Sequence, residues 1–432
     1  MVRETLEAQS QGQEVGIFKK AIETLPLYRS PWGELNASSK EGEFLGDFGR
    51  DQAYFGLEII DTYRFLPLEV FASETRRILV SLASRQKEGE VYHEHWVFTE
   101  GMESKKESFA ESGVEIQEKG PSGHPEMVSY GAKDTTPLFL ILADEYLRVS
   151  RDYDLLSKIW PNINSALEAI NKNLYLTSRL DNPAGWMDAA DALQDLNGQI
   201  PQGELSLAEN QDLKYNANFR WGNRLINMDI DKTFGEDLIE ESEGLRQAFN
   251  RDFWVDSEGY VVQAVDENGA KRGDIVSTGA ETLFGGILYE YYSPFVVSRV
   301  REKDLWTPWG IRTRSSKSVN FNQVDKYQSG KIWIAPSNWK IQQGFLRYGY
   351  LADAKELTDN CLSVFHYFQS FPENISYFDG QDYPVVLGQS NLYQVWDNGA
   401  AMSFAASKFT NDERLFLMKV LPEFQGDVSL AA

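Results

Sequence analysis

Apolar residues recur at spacings of three and four in six long stretches of the chain. This period matches one face of an α-helix, so the pattern predicts amphipathic helices that bury one side against a core. Most stretches have room for two consecutive helices, and roughly ten to twelve helices fit in the chain. The six stretches are residues 51–85, 135–175, 208–249, 277–297, 338–369 and 398–420.

Local signals delimit two of these helix pairs. Thr135-Thr136-Pro137 is a typical helix start, and a polar break from Ser150 to Asp154 separates it from a second helix that is expected to reach about Tyr175. In another pair, Gly349 supplies the stop between two helices. The helices are therefore expected to follow one another as hairpins.

Long loops rich in aromatic residues and glycine lie between the helix pairs. Loops of this length are uncommon in compact domains unless they are functional. Residues 253–276, which contain Asp266-Glu267-Asn268-Gly269, predict a small β-hairpin inserted between helices. Because no linker rich in Pro, Ser or Gly divides the chain, we expect a single domain over residues 1–432, with residues 1–45 as a lead-in. The pairing of the helices favours an α/α toroid. The loops are residues 89–130, 180–207, 306–337 and 371–397.

Composition narrows the choice of partner. With Lys+Arg 42 and Asp+Glu 65, the net charge of −23 repels phosphate backbones and anionic membrane surfaces, so neither nucleic acid nor membrane is expected as a partner. The start, from Met1 to Lys20, lacks a basic region followed by an apolar run, which favours a cytoplasmic protein. Trp 11, Tyr 20 and Phe 25 exceed what packing usually needs, and they suit a cleft for neutral sugars.

Several kinds of chemistry lack their residues. There is no Gly-x-Ser-x-Gly motif, and Cys361 is the single cysteine, inside an apolar helical stretch where a buried inert thiol is expected. Gly285-Gly286 lacks the spacing of a nucleotide-binding loop. His93-Glu94-His95 is the one histidine cluster; a strand would place both imidazoles on one face, but a polar loop strand is favoured over a metal site. We expect neither a cofactor nor a metal.

Carboxylates beside aromatic residues are the remaining candidates for chemistry. Glycoside hydrolysis needs one acid to protonate the leaving oxygen and one base to activate water or attack carbon. Some candidates have structural explanations: Asp51 could be a helix N-cap, and Glu209 suits the start of a helix. The candidate segments are Gly49-Arg50-Asp51, Gly185-Trp186-Met187-Asp188 with Asp191 and Asp195, Glu209, and Phe371-Pro372-Glu373-Asn374 in a loop that continues to Trp396-Asp397.

Taken in order, these segments resemble the α-1,6-glucosidase domain of glycogen debranching enzymes and related inverting glycoside hydrolases. The resemblance covers about residues 46–404 and implies an all-α fold, the (α/α)6 barrel or six-hairpin toroid. The pieces that carry it are Phe48-Gly49-Arg50-Asp51, Asp134-Thr135-Thr136-Pro137-Leu138-Phe139, Gly185-Trp186-Met187-Asp188-Ala189, Trp309-Gly310-Ile311-Arg312-Thr313, Tyr327-Gln328-Ser329-Gly330-Lys331-Ile332-Trp333 and Arg347-Tyr348-Gly349.

The resemblance also implies roles for individual residues. The Asp that follows Gly-Trp is the general acid of that family, which points to Asp188, and the Glu of a Pro-Glu motif is the base, which points to Glu373. Arg50 and Asp51 resemble residues that hold sugar hydroxyls in the innermost subsite. Trp333, Trp339 and Trp396 are candidate platforms on which a sugar ring could stack, although each could equally be a core residue. The further expected substrate contacts are Asp134, Trp186, Glu209, Gln211, Trp333 and Trp396.

Departures from the family pattern bear on the substrate. The usual Pro-Glu-Leu is Pro372-Glu373-Asn374, Pro-Gln-Ala-Trp corresponds loosely to Tyr393-Gln394-Val395-Trp396, and a frequent histidine is missing at residues 280–286. The outer domains of many debranching enzymes are also missing from this sequence. These differences favour a small α-glucoside or oligosaccharide over glycogen.

The expected function is therefore an exo-acting, inverting glycoside hydrolase, an α-glucosidase by preference, with a small carbohydrate as its partner. A glycoside phosphorylase or a sugar epimerase on the same toroid remains an alternative inside enzymology. A sugar-binding barrel without catalysis is the alternative outside it. The sequence does not indicate an oligomeric state.

Overall fold

The computed structural model describes residues 12–39, 44–111, 114–120, 122–179, 185–187, 189–194, 203–388 and 390–428. Helices dominate these residues. Numbered in chain order, the α-helices are α1 (Gln13–Thr24), α2 (Gly49–Phe65), α3 (Glu69–Ser84), α4 (Glu103–Glu111), α5 (Thr135–Ser150), α6 (Tyr153–Ile170), α7 (Ala208–Asn227), α8 (Lys232–Asp252), α9 (Thr278–Glu281), α10 (Ser293–Val300), α11 (Trp339–Arg347), α12 (Leu351–Phe368), α13 (Val395–Lys408) and α14 (Asn411–Val428).

Six helices form an inner ring. In order, α2, α5, α7, α9 and α11 each pack on the next, α11 reaches α13 through the helical turn Ile334–Asn338, and α13 packs on α2 to close the ring. Each inner helix has an outer partner: α3, α6, α8, α10 and α12 follow their inner helices in the chain, and α1 packs on α13. This arrangement confirms the predicted α/α toroid.

The helix bounds agree with the sequence pattern at most hairpins. α5 begins at Thr135, and α6 follows after a two-residue break but ends at Ile170. Gly349 lies between α11 and α12 with a φ of 81°, a left-handed conformation that glycine adopts without strain. Cys361 is buried in α12, as expected, and burial raises the pKa of its thiol.

The stretch 277–297 is helical only at its two ends, in contrast to the prediction. Asp212 of α7 accepts hydrogen bonds from the backbone of Gly285 (2.6 Å) and Ile287 (3.2 Å), so the chain turns there instead of continuing as a helix. A Cβ on Gly285 would stand 2.5 Å from the Asp212 carbonyl oxygen. The glycine pair therefore allows a close approach that the apolar periodicity does not reveal.

The lead-in before residue 45 contributes to the ring. Phe18 and Ala21 of α1 are fully buried, and Asn398 of α13 donates to the Ala21 carbonyl (3.0 Å) and to the Thr24 hydroxyl (2.7 Å). α1 thus covers the outer side of α13. Because α1 has only twelve residues, its apolar spacing gives a weak signal in the sequence.

Short antiparallel strands connect the helices in two four-stranded sheets, ordered β1-β2-β4-β3 and β10-β9-β6-β5, and in two hairpins. The predicted hairpin at residues 253–276 is present, but its β9 also pairs with β6, so the sheet is wider than predicted. Every helix in the described part of the chain is too short or too polar to span a bilayer. The strands are β1 (Asp47–Phe48), β2 (Glu94–Val97), β3 (Ile116–Gln117), β4 (Glu126–Ser129), β5 (Thr177–Arg179), β6 (Glu204–Leu207), β7 (Trp254–Val255), β8 (Tyr260–Val261), β9 (Ala264–Asp266), β10 (Lys271–Arg272), β11 (Trp306–Thr307) and β12 (Gly310–Ile311).

Candidate active site

The inner helices begin at one end of the ring, and charged side chains cluster there. Asp51, Glu209 and Asp397 lie in the first turns of α2, α7 and α13, and Asp134 is the N-cap of α5. Helix N-termini carry partial positive charge, which stabilises carboxylates at these positions. Side-chain bonds between different helices join this set, so one end of the toroid holds most of the residues predicted from sequence.

Arg50 and Asp134 form a buried ion pair. The Arg50 Nε lies 2.6 Å from one Asp134 oxygen, and Nη2 lies 3.3 Å from the other. Both side chains are buried. Beside them, Asp51 accepts a hydrogen bond from the amide of Gln394 (2.9 Å). These contacts link the starts of α2 and α5 to the extended segment before α13, among the residues predicted to form the innermost sugar site.

Lys340 of α11 is a second buried cation of the site. Its Nζ lies 2.6 Å from Glu281 Oε2 and 3.4 Å from Glu209 Oε2. Burial raises the pKa of Glu209 to about 8; the Lys340 charge lowers this pKa and the Glu281 charge raises it. Two carboxylates thus share one ammonium away from water.

Glu281 accepts further hydrogen bonds that fix its orientation. The hydroxyls of Ser337 (2.6 Å) and Ser277 (2.9 Å) donate to Oε1, and the indole Nε1 of Trp186 donates to Oε2 (2.8 Å). Trp186 is therefore held by its polar edge. Gly185 precedes it because a Cβ there would collide with the Glu209 carboxylate.

Glu373 lies in the loop between α12 and α13 and is 2% exposed. Burial raises the pKa of its carboxyl to about 7, against hydrogen bonds that favour the charged form. The Tyr327 hydroxyl donates to Oε1, and the backbone and side-chain nitrogens of Asn391 donate to Oε2 at 3.2 Å each. A held carboxylate with a pKa near neutrality suits a general base.

The predicted acid, Asp188, lies outside the described residues, but residues on both sides of it form hydrogen bonds with Gln328. The Gln328 amide donates to the Trp186 carbonyl (2.8 Å) and accepts from the Ala189 backbone (2.8 Å). Gln328 therefore holds the chain on both sides of position 188. Since Tyr327 is the next residue in sequence, one dipeptide contacts both the Glu373 carboxyl and the predicted acid loop.

Trp333 is at the centre of an aromatic cluster. Its ring centroid is 5.5 Å from Trp186, 5.0 Å from Tyr327 and 6.1 Å from Trp396. All three tryptophans are buried. Trp339 has other neighbours: its indole nitrogen donates to Ser403 (3.2 Å), and Trp339 lines a cavity of about 550 Å³ whose other walls come mainly from the later turns of α2, α5 and α13.

Gln211 is buried in α7 and contacts backbone. Its Oε1 accepts from the Leu176 nitrogen (2.9 Å), and its Nε2 donates to the carbonyls of Leu176 (2.9 Å) and Leu207 (3.0 Å). These bonds anchor the segment after α6 to the start of α7. The substrate contact predicted for Gln211 stays a prediction.

Sequence reasoning missed the place of Glu281 and Lys340 in this cluster, and it named Asp397 only as the end of a candidate loop. Asp397 accepts from the Ala335 backbone (3.0 Å), and burial raises the pKa of its carboxyl, with further contributions from Glu373 and Asp51. A charged residue in the first turn of an apolar helix is the one signal that could have indicated Lys340 and Asp397. That signal alone does not separate a buried charge from a solvated one.

The two neighbouring histidines have different surroundings. His93 packs on the ring of Phe48 (5.9 Å), and burial together with Arg50 lowers its pKa to about 3. His95 instead lies among carboxylates, 3.2 Å from Glu34 and 3.3 Å from Glu126. The sequence analysis considered that a strand would place both imidazoles on one face. In the structure His93 and His95 have different neighbours and do not form such a pair.

We expect Tyr327→Phe to move the acidic limb of the pH profile of kcat/KM upward. For a general base at Glu373, which is the role predicted from sequence, only the ionised carboxylate accepts the proton, so activity should rise with pH through its pKa of about 7. The lost hydrogen bond favoured the ionised form, and a bond worth about 1 kcal/mol corresponds to a limb displaced by about 0.7 pH units. Tyr383→Phe, at an exposed tyrosine, is the control. An unchanged acidic limb would show that the Tyr327 hydrogen bond does not affect the ionisation of Glu373.

Comparison with known proteins supports the fold. No protein-family model and no curated protein matches the sequence. A GH63 mannosylglycerate hydrolase from Thermus thermophilus, in complex with Tris and D-glycerate, has a TM-score of 0.65 at 14% identity, covering 91% of this chain and 100% of that one. An uncharacterized conserved protein from the same organism gives 0.64 at 16%, with the same coverage. A rhamnosidase from Klebsiella oxytoca gives 0.60 at 11%, covering 93% and 65%.

At these identities the likeness confirms the helical toroid. Two of these similar structures are glycoside hydrolases of other kinds than debranching enzymes. The narrower resemblance to the debranching group therefore stays a prediction.

Proposed function

We propose that this protein is an inverting, exo-acting glycoside hydrolase that acts on small α-glucosides, with Asp188 as general acid and Glu373 as general base. The observation that carries the proposal is the environment of Glu373. It is buried, its pKa is about 7, and Tyr327 and Asn391 orient both of its oxygens. Arg50, Asp51 and the tryptophans around Trp333 would bind the sugar.

The proposed reaction uses the two carboxyl groups in one displacement. Asp188 gives its proton to the glycosidic oxygen as the bond from that oxygen to the anomeric carbon breaks. A water attacks the anomeric carbon from the opposite face and transfers a proton to Glu373. The released sugar then has the inverted configuration, as expected when acid and base stand about 6.5–9.5 Å apart.

A second candidate concerns the leaving group. Lys331 is 1% exposed, and its Nζ donates to the Leu387 carbonyl (2.8 Å). Among the described residues no carboxylate lies within ion-pair distance of it, although its charge acts on both Glu373 and Asp191. A buried ammonium that has no carboxylate in direct contact is costly. This favours a glycoside whose leaving group carries a carboxylate, and the similar mannosylglycerate hydrolase acts on such a compound.

The test is a substrate panel read by proton NMR from the first minutes of reaction. α-Glucosides and α-mannosides of glycerol and of glycerate separate sugar preference from leaving-group charge. We expect hydrolysis with the β-anomer formed first, and faster turnover of glycerate compounds would favour the second candidate. An α-anomer formed first would contradict inversion, a requirement for phosphate would indicate a phosphorylase, and saturable binding without turnover would indicate a sugar-binding barrel.

A further inference from the structure

A buried histidine lies between carboxylates beside the paired strands β1 and β2. Asp47 of β1 and His95 of β2 are register partners, and Glu34 reaches the same point from the turn before α2. One oxygen of Glu34, one oxygen of Asp47 and the His95 Nδ1 all lie within 4.8 Å of one another. His95 is 2% exposed, and its Nδ1 has no hydrogen-bond partner of good geometry.

The spacing of these three atoms suits a shared ion. Nδ1 is 3.2 Å from Glu34 Oε2 and 3.9 Å from Asp47 Oδ2. Nitrogen and oxygen ligands about 2.0–2.2 Å from a zinc ion stand about 3.4 Å apart in a tetrahedron. Small side-chain rotations would therefore bring the three atoms to a common centre.

The other contacts of His95, Glu34 and Asp47 resemble those of residues that orient metal ligands in known metal sites. A histidine that binds a metal through one nitrogen usually donates its other N–H to a carboxylate, which fixes the ring. Here the His95 Nε2 faces Glu126 Oε2 at 3.3 Å. The other Glu34 oxygen pairs with Arg85, and Asp47 accepts from the Tyr92 hydroxyl (2.7 Å). The proposed ligands are thus already oriented by their neighbours.

Charge and access also fit a cation. Three carboxylates, Glu34, Asp47 and Glu126, surround this point, and Arg85 is the cation that pairs with one of them. A cavity of about 220 Å³ borders Glu34, Asp47 and His95 and has room for water ligands. The protein's net charge of −23 attracts cations to its surface.

We propose that Glu34, Asp47 and His95 bind a divalent transition-metal ion such as Zn²⁺ or Mn²⁺. One imidazole and two carboxylates are ligands that these ions accept, with water completing the shell. The ion would join β1 to β2 and to the turn at Glu34. Because Arg50 and Asp51 begin the helix directly after β1, the ion would also stabilise the start of α2, outside the catalytic groups proposed above.

The experiment is a calorimetric titration of Zn²⁺ into the full chain after removal of metal by dialysis against a chelator. We expect one ion per chain, together with a raised Tm, because a ligand that binds only the folded state stabilises it. Glu126→Gln, which keeps all three ligands, should weaken affinity about 10- to 100-fold. His95→Gln should abolish the stoichiometric binding.

The control is His366→Gln, which removes an exposed imidazole of α12 and should bind Zn²⁺ as the unmodified protein does. Circular dichroism shows whether each variant is folded, and Glu126→Gln keeps the test valid if His95→Gln fails to fold. A protonated His95 held by carboxylates is the competing explanation of the same contacts. The proposal is wrong if the unmodified protein binds no stoichiometric ion, or if Glu126→Gln and the folded His95→Gln both bind as tightly as the control.

Discussion

Replacing Glu373 with glutamine should lower kcat on the preferred glycoside by about 10³-fold, within the range of about 10²–10⁴ that general acid–base catalysis contributes. The amide is close in shape and still accepts a hydrogen bond from Tyr327, but it cannot take a proton from water. KM should change little, because the sugar contacts proposed at Arg50, Asp51 and Trp333 are untouched. Steady-state kinetics on the best substrate of the panel give both parameters.

The matched control for this experiment is Glu258→Gln, which makes the same change at an exposed turn and should leave kcat unchanged. Asp188→Asn should also lower kcat, and more so for glycosides with poor leaving groups, because those need protonation most. If Glu373→Gln and Asp188→Asn both keep near-normal turnover on every active substrate, the assignment of acid and base is wrong.

Replacing Lys340 with methionine should destabilise the protein by about 3–5 kcal/mol, the usual cost of removing one partner from a buried ion pair. Methionine fills similar space, so the loss comes from charge: Glu281 and Glu209 would be left buried without their cation. Denaturant unfolding measures the free energy. Lys355→Met, which breaks an exposed pair with Asp359, should cost less than about 1 kcal/mol.

The destabilisation by Lys340→Met should grow at alkaline pH. The folded-state pKa of Glu209 is about 8, above its value in an unfolded chain, so the intact protein loses stability as pH rises towards 8 and no further from this group. Without Lys340 that pKa rises further, and the loss continues above pH 8. The free-energy difference should therefore be larger at about pH 9.5 than at about pH 7. Equal differences would show that Glu209 does not depend on the ammonium.

The helical fold was largely predictable because amphipathic period and helix stops are local properties. Thr135 and Gly349 mark helix boundaries that the structure confirms. The stretch 277–297 was not predictable, since its break depends on Asp212, more than seventy positions earlier in the chain. The contribution of α1 to the ring was missed for the same reason: its partner, α13, lies near the other end of the sequence.

The candidate site was only partly predictable. Glu373 and Trp186 stand in motifs whose order indicated a glycoside hydrolase, and the structure brings their loops together through Tyr327 and Gln328. The role of Asp188 stays a prediction from that resemblance. Lys340 was missed because an isolated lysine in a helix usually points to solvent, and nothing nearby in sequence shows that it faces Glu281.

By itself, the sequence determined the helical hairpins, the excess of carboxylates and aromatic rings, and the two loops that hold the proposed acid and base. These follow from local periodicity and motif order. Only the tertiary structure decided which charges share a buried environment: Lys340 with Glu281 and Glu209, Arg50 with Asp134, and His95 with Glu34 and Asp47. The physical reason is that burial and the distance between charges determine these pairings, and both depend on contacts between segments far apart in the chain.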